Sequence, residues 1–138
     1  MKKLLLLLAL FTMQFGFSQK TVETINKENR KCLENAMPTT FGSVKCEKAA
    51  LASWKKLMDK TLQQLKEHPE TASTSLLFDS QTHWLKFQKA DLAFYGAFYH
   101  KLYEGGTMTM AAVATHEKQQ FRKRTMYLLE FLEILNEK

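Results

Sequence analysis

The sequence contains few of the residues that build covalent or metal chemistry. Its 138 residues include two cysteines and four histidines, and no C-x-x-C, H-E-x-x-H, G-x-S-x-G or glycine-rich phosphate loop occurs. The histidines at positions 68, 83, 100 and 116 are never three or four residues apart, so no two of them form a helical metal site. No nucleophile has an evident base partner. We therefore expect no catalytic residue, no metal site and no cofactor, and a protein that is not an enzyme.

Proline and glycine are also scarce, at two and five residues, and no repeat, low-complexity tract or long linker interrupts the chain. Apolar residues recur three and four positions apart, which is typical of amphipathic helices. The pattern predicts a short helix over about 24–35, a second ending at His68-Pro69, a third over about 76–103 and a fourth over about 109–136. We expect an all-α, mostly antiparallel four-helix bundle.

One long apolar run is present, and it lies at the N-terminus. Lys2 and Lys3 precede the run Leu4–Leu10, and Gly16-Phe17-Ser18 follows with small residues suited to a signal peptidase. A membrane anchor is the alternative, but the run is too short to cross about 30 Å of hydrocarbon. We interpret residues 1–18 as a cleaved signal peptide and residues 19–138 as one domain, which predicts a periplasmic or secreted protein.

Positive charge exceeds negative charge, but it is not concentrated. The chain has 20 Lys and Arg against 14 Asp and Glu, a formal net charge of +6. The basic residues are scattered, and Arg122-Lys123-Arg124 is the densest group. This favours a solvated surface over a nucleic-acid interface, so we expect no nucleic-acid partner and no membrane span after cleavage.

The two cysteines, Cys32 and Cys46, both lie in the predicted mature chain. In an oxidising compartment a pair of this kind is usually a disulfide. A loop of this size is expected to contribute about 3 kcal/mol to stability. We predict a Cys32–Cys46 bond that joins the first helix to the second.

The predicted third helix is unusually rich in aromatic residues. At 100° per residue, Leu77, Trp84 and Tyr95 fall on one broad face, which Phe87, Phe94 and Phe98 widen on one flank. Most of this crowding is interpreted as core, with Asp91 pairing Arg124 across the third and fourth helices. The residues expected to be structural core are Trp54, Gln81, Trp84, Phe87 and Arg124.

Two adjacent glycines end this helix, and the turn they form is the candidate binding site. Glycines permit backbone angles that other residues avoid and leave main-chain groups uncovered, and a turn on a rigid helix is preorganised for binding. The alternative is only a helix C-cap followed by an N-cap at Thr107 or Thr109. The predicted binding residues are Tyr103, Glu104, Gly105, Gly106, Thr107 and Met108.

Several of these residues together resemble a known family. Ser80-Gln81, then Trp84-Leu85-x-Phe87 and Ala90, then Tyr103-Glu104-Gly105-Gly106-Thr107, are similar to the signature of the LprI-type lysozyme-inhibitor family. That signature reads close to SQ-x-x-W-L-x-F-R-D-A-x-C and Y-x-G-G-S. The resemblance extends from about Cys32 to Leu132 and combines several weak motifs into a fairly specific one. It implies a small exported helical protein.

The resemblance also implies a function, and two departures from the family bear on it. The family's second cysteine pair would fall at Leu92 and His116, and its Arg-Asp pair is Gln88-Lys89 here. Some family members inhibit lysozyme, so the resemblance implies a lysozyme inhibitor. The alternative is an envelope or secreted interaction module with another partner and no such activity. Two basic proteins would lack electrostatic steering, so the charge balance leaves both possibilities open.

Overall fold

The computed structural model of the protein describes residues 19, 21–36 and 39–137, and within these ranges it contains helices and no strand. Helix α1 covers residues 21–36, and α2 covers Thr40–Glu67. Helices α3 and α4 cover Thr74–Leu102 and Thr107–Asn136. The predicted four-helix bundle is confirmed, with boundaries within a few residues of those expected. The predicted signal peptide lies outside the described residues.

Side-chain hydroxyls cap two of the long helices at their first turns. Thr39 accepts a hydrogen bond from the backbone N–H of Gly42 at 3.2 Å, which starts α2. Ser73 accepts one from Leu76 at the same distance, which starts α3. Such caps satisfy backbone donors that have no partner inside the helix. The polar joints between the apolar stripes therefore set where these helices begin.

The disulfide predicted between Cys32 and Cys46 is present, with the two Cα atoms 5.6 Å apart. It joins the end of α1 to the first turns of α2. Two further contacts hold the same region: Asn29 donates to the carbonyl of Cys46, and Lys118 of α4 donates to Asn29. Covalent and polar contacts thus hold α1 against both α2 and α4.

An apolar core fills the space between α2 and α4. The two helices run in the same direction, since Glu47 pairs with Lys118 and, two turns further on, the hydroxyl of Thr125 lies 3.4 Å from the carbonyl oxygen of Trp54. Trp54 is 1% exposed, as predicted for a core residue. Its buried neighbours include Leu57, Met58, Leu65, Phe121, Leu128, Leu129 and Leu132.

Helix α3 runs antiparallel to α4 and contacts it through polar side chains. The most buried residues of α3 are two glutamines, Gln81 and Gln88. Gln81 accepts from Arg124 at 3.0 Å, and Gln88 donates to Gln120 at 3.1 Å. Gln81 and Arg124 are therefore buried, as predicted, but their burial belongs to a polar interface rather than to the apolar core.

Two predictions about α3 are wrong. Phe87 was expected in the core but is 62% exposed, and Phe94 and Phe98 are exposed with it. The reason is that α3 contacts α4 along its length and α2 only sparsely, so it has too few neighbours to cover a wide apolar face. Asp91 does not pair with Arg124; its carboxylate bonds to His116 at 2.8 Å. His116 of α4 is half-buried.

Trp84 meets the core at its edge. Its ring packs edge-on against Phe121 with centroids 5.1 Å apart, and the side chain remains partly exposed. The same residue lies beneath the guanidinium of Arg124, 5.7 Å from its ring centroid. Trp84 therefore contributes to packing as predicted, although it also marks the boundary between the apolar core and the polar interface.

Candidate partner-binding surface

The turn between α3 and α4 has a tightly defined backbone. The N–H of Tyr103 bonds to the carbonyl of Tyr99, and the N–H of Gly105 bonds to the carbonyl of His100 at 2.8 Å. Glu104 and Gly105 both have left-handed backbone angles, with φ of 52° and 76°. A left-handed residue paired with an i to i−5 hydrogen bond is a common way to end a helix. The turn is therefore ordered by its own backbone.

Gly105 is needed at its position for a second reason. A Cβ atom there would lie 2.8 Å from Cε1 of the His100 ring, closer than a real Cβ contact permits. Its φ of 76° would also strain any residue with a side chain. The backbone angle is the stronger reason for glycine here, because the exposed His100 ring can move away from an added Cβ.

The cap expected at Thr107 or Thr109 is absent. Gly106 occupies the N-cap position of α4 and supplies no side-chain cap. Thr107 is already within the helix, and the hydroxyl of Thr109 instead donates to the carbonyl of Tyr99 at 3.2 Å. That bond joins the first turn of α4 to the last turn of α3. The two helix ends are thus held together by a side chain that the sequence pattern assigned to capping.

All six predicted binding residues, Tyr103 to Met108, are exposed. Tyr103 is 37% exposed and Met108 is 55% exposed, so two large apolar side chains border the turn. Glu104 supplies the carboxylate at its apex. The structure therefore presents these residues to solvent on an ordered turn, which is the geometry that binding at this position requires.

A larger exposed apolar surface adjoins the turn, and we call it the α3 stripe: Phe87, Phe94, Phe98 and Leu102. These residues are spaced seven, four and four apart, so they lie along one side of the helix. Their exposed fractions are 62%, 70%, 54% and 57%. Surface patches of contiguous large apolar side chains often mark sites of protein association. The stripe and the turn together form one candidate surface.

Stacked rings support this surface from beneath. Tyr95 lies flat against His116 of α4, with ring centroids 3.8 Å apart and planes 4° apart. Tyr99 packs against Tyr95 on one side and Tyr103 on the other, at 4.5 and 5.4 Å. The ladder connects α4 to the turn through three successive tyrosines. It fixes the end of α3 without burying the stripe.

Partial burial, together with the neighbouring phenols of Tyr99 and Tyr103, raises the pKa of Tyr95 to about 12. The Tyr95 hydroxyl therefore stays neutral at any physiological pH. The Tyr95 ring therefore stacks in its uncharged form.

The residues at the two family cysteine positions lie on facing helices. Leu92 of α3 is half-buried, and His116 of α4 is held by Asp91 and by the Tyr95 ring. The contacts of His116 with Asp91 and Tyr95 were not predicted, although one feature of the sequence indicates them. On α4, His116, Gln120 and Arg124 recur every four residues and form a polar stripe on one face.

Among the described residues, no three His, Cys, Asp or Glu side chains are grouped to hold a metal ion. No helix in that part of the chain is long and apolar enough to cross a membrane. The fold and the surface define a small disulfide-linked helical domain that displays apolar side chains at one end.

The chain belongs to the LprI lysozyme-inhibitor family. The family model described as "Lysozyme inhibitor LprI" matches residues 32–128. The match begins at the first cysteine of the disulfide and includes all of α2, α3 and the turn between α3 and α4. No curated protein and no solved structure matched the chain.

Proposed function

We propose that the protein is an exported binding protein that inhibits lysozyme, and that it uses the α3 stripe and the adjoining turn to do so. The main support for the proposal is that the stripe is exposed although polar contacts hold α3 in place. Membership of the LprI family supplies the class of partner. Neither feature indicates catalysis by this chain.

The stripe has the composition of a contact surface. Aromatic side chains bury large areas at low entropy cost and dominate protein interfaces. Phe94 and Phe98 are next to one another, with ring centroids 6.4 Å apart, and Leu102 extends the same side toward the turn. Because the tyrosine ladder already orders this end of α3, little further ordering is needed on binding.

Charge beside the stripe suits the cleft of a lysozyme rather than its whole surface. Lys101 lies three residues after Phe98 and seven after Phe94, so it shares their side of the helix. The catalytic cleft of a lysozyme contains two carboxyl groups. A lysine beside aromatic rings would complement those carboxyl groups, which offsets the unfavourable meeting of two basic proteins.

The disulfide supports export, because such bonds persist in oxidising compartments. The predicted signal peptide over residues 1–18 leads to the same conclusion. We infer that the mature domain, residues 19–138, acts in the periplasm or outside the cell.

A lysis assay tests the proposal. Purified residues 19–138 should slow the clearing of a bacterial cell-wall suspension by lysozyme, in a panel that includes animal and bacteriophage enzymes. Phe94→Glu with Phe98→Glu should weaken inhibition at least tenfold. Phe78→Glu is the matched control, since Phe78 is 71% exposed on the same helix but about 30 Å from Phe98 by helical rise.

The turn is tested separately. Glu104→Lys reverses the charge at its apex without altering a buried contact, and circular dichroism would confirm that the variant is folded. A change in inhibition would assign the turn to the interface, whereas unchanged inhibition would confine the site to the stripe. If the folded wild type inhibits no lysozyme in the panel, the protein is instead an interaction module with another partner.

A further inference from the structure

A second apolar surface lies at the opposite end of α3, away from the α3 stripe. It is a groove of about 490 Å³ between the start of α3 and the end of α4, which we call the Arg124 groove. Leu76 and Leu77 line it from α3, and Tyr127 and Phe131 line it from α4. Leu76 is 67% exposed and Phe131 is 45% exposed. Its volume lies in the range of about 300–1,000 Å³ that is usual for small-molecule sites.

Arg124 lies in this groove and is 9% exposed. Its Nε donates to Gln81 and its Nη2 donates to Ser80, both at 3.0 Å, and both acceptors are neutral. A guanidinium has five N–H donors, and no Arg124 nitrogen is both buried and unpaired, so its remaining donors open to the solvent in the groove. Within the described ranges no carboxylate forms an ion pair with Arg124.

The rings around Arg124 compensate its charge only in part. The guanidinium lies 5.7 Å from the centroid of Trp84 and 5.4 Å from that of Tyr127. Burial lowers the pKa of Arg124 from its ordinary value, with Tyr127 opposing this shift, but an arginine remains charged in proteins. An anion in the groove would replace solvent at the free donors of Arg124 and pair with its charge.

The helix ends beside the groove oppose one another: the N-terminus of α3 is partly positive, whereas the C-terminal ends of α2 and α4 are partly negative. Ser73, the N-cap of α3, lies in the groove wall, and the first turn of α3 has no acidic residue. The N-terminus of a long helix carries a partial positive charge. Glu70 is the one carboxylate among the described residues of the wall, and it is exposed to solvent. The groove therefore combines apolar walls with a single buried cationic point.

We infer that the Arg124 groove binds a fatty acid, with its carboxylate on Arg124 and its acyl chain along Leu76, Leu77, Tyr127 and Phe131. A carboxylate is the group that a guanidinium binds best through paired N–H donors. Apart from hydroxyls and Glu70, the rest of the wall offers aliphatic and aromatic side chains. A molecule with one anionic group and a long apolar chain matches this distribution. This inference concerns a different surface from the one proposed for lysozyme and does not depend on it.

The test is a titration of residues 19–138 with sodium dodecanoate below its micellar concentration, followed by calorimetry and by tryptophan fluorescence. Trp84 lies against Arg124, so binding should change its emission. We expect one dodecanoate per protein. Dodecyltrimethylammonium, which has the same chain and the opposite charge, should bind at least tenfold more weakly. Equal binding of the two amphiphiles would overturn the inference, because it would show apolar adsorption without recognition of the anion.

Two exposed positions provide variants that leave the core intact. Leu76→Glu places a carboxylate in the groove and should weaken dodecanoate binding at least tenfold, whereas Leu76→Lys should not. Phe78→Glu is the matched control, because Phe78 is equally exposed but lines the neighbouring groove between α2 and α3. Dodecanoate affinity that is the same in all three variants would place the ligand elsewhere and refute the assignment.

Discussion

The two long interfaces of α4 are built from different chemistry. Toward α2, α4 presents Phe121, Leu128 and Leu132 and forms a mainly apolar core around Trp54, with the buried Glu47–Lys118 pair at one end. Toward α3, it presents His116, Gln120 and Arg124, which bond to Asp91, Gln88 and Gln81. The first interface contributes stability by removing apolar area from water. The second contributes hydrogen bonds, whose net contribution is smaller but whose partners are specific.

The polar α3–α4 interface explains why the aromatic residues of α3 remain exposed. A helix that packs through glutamines and a carboxylate does not need its phenylalanines for folding. They are therefore available to contact another molecule. For the proposed binding function, this division would let the residues that hold α3 change independently of those that contact a partner.

The largest loss of stability is expected at the apolar interface between α2 and α4. Trp54→Ala removes a side chain that is 1% exposed and should lower the free energy of unfolding by about 3–5 kcal/mol, because it leaves a cavity. Chemical denaturation measured by circular dichroism would determine the loss. A value below about 1 kcal/mol would mean that α2 and α4 repack around the gap. The α2–α4 interface would then contribute no more stability than the α3–α4 interface.

The disulfide should come next. Cys32→Ala with Cys46→Ala removes the link between α1 and α2 and should lower stability by about 3 kcal/mol in the loop-closure estimate. Mass spectrometry of a non-reduced digest should show the two cysteine peptides joined in the wild type. Two free thiols in freshly exported protein would contradict the structure.

The polar interface should respond less. Arg124→Met leaves the carbonyl of Gln81 without its donor and should cost about 1–3 kcal/mol. Lys123→Met is the neighbouring control, and because Lys123 is exposed it should change stability by no more than about 0.5 kcal/mol. An equal response of both variants would show that Arg124 does not hold α3.

The Asp91–His116 pair should be weaker still, because both side chains are partly exposed. A double-mutant cycle with Asp91→Asn and His116→Gln should give a coupling of about 0.2–1 kcal/mol. Coupling indistinguishable from zero would leave the stacking of His116 on Tyr95 as the contact that matters at this position.

The sequence was sufficient to predict the positions of the helices, but not to predict which residues of α3 are buried. Periodicity located four helices, and the cysteine spacing indicated the disulfide, because both signals are local. The exposure of Phe87, Phe94 and Phe98 depends on how many helices surround α3, which no local pattern contains. Arg124 illustrates the same limit: its burial was expected from the stripe beside it, but its partners Gln81 and Ser80 depend on the register of two helices.

The exposure of the candidate binding surface was predicted in part. The two glycines marked the turn correctly as exposed, because a helix stop usually reaches the surface. The α3 stripe was assigned to the core, since an apolar face that awaits a partner has the same periodicity as one that packs inside. The difference between the two can be seen only when the neighbouring helices are in place.

The stability of the double variant Phe94→Gln, Phe98→Gln shows directly whether the α3 stripe lies in solvent or in the core. If the stripe is held in solvent by a polar interface, as described here, the double variant should unfold within about 1 kcal/mol of the wild type, because each change is a surface substitution. Guanidinium denaturation of both proteins at one temperature would provide the comparison. Burial in a core would instead require a loss of about 3–5 kcal/mol for each phenylalanine, and that result would show that the stripe is not exposed.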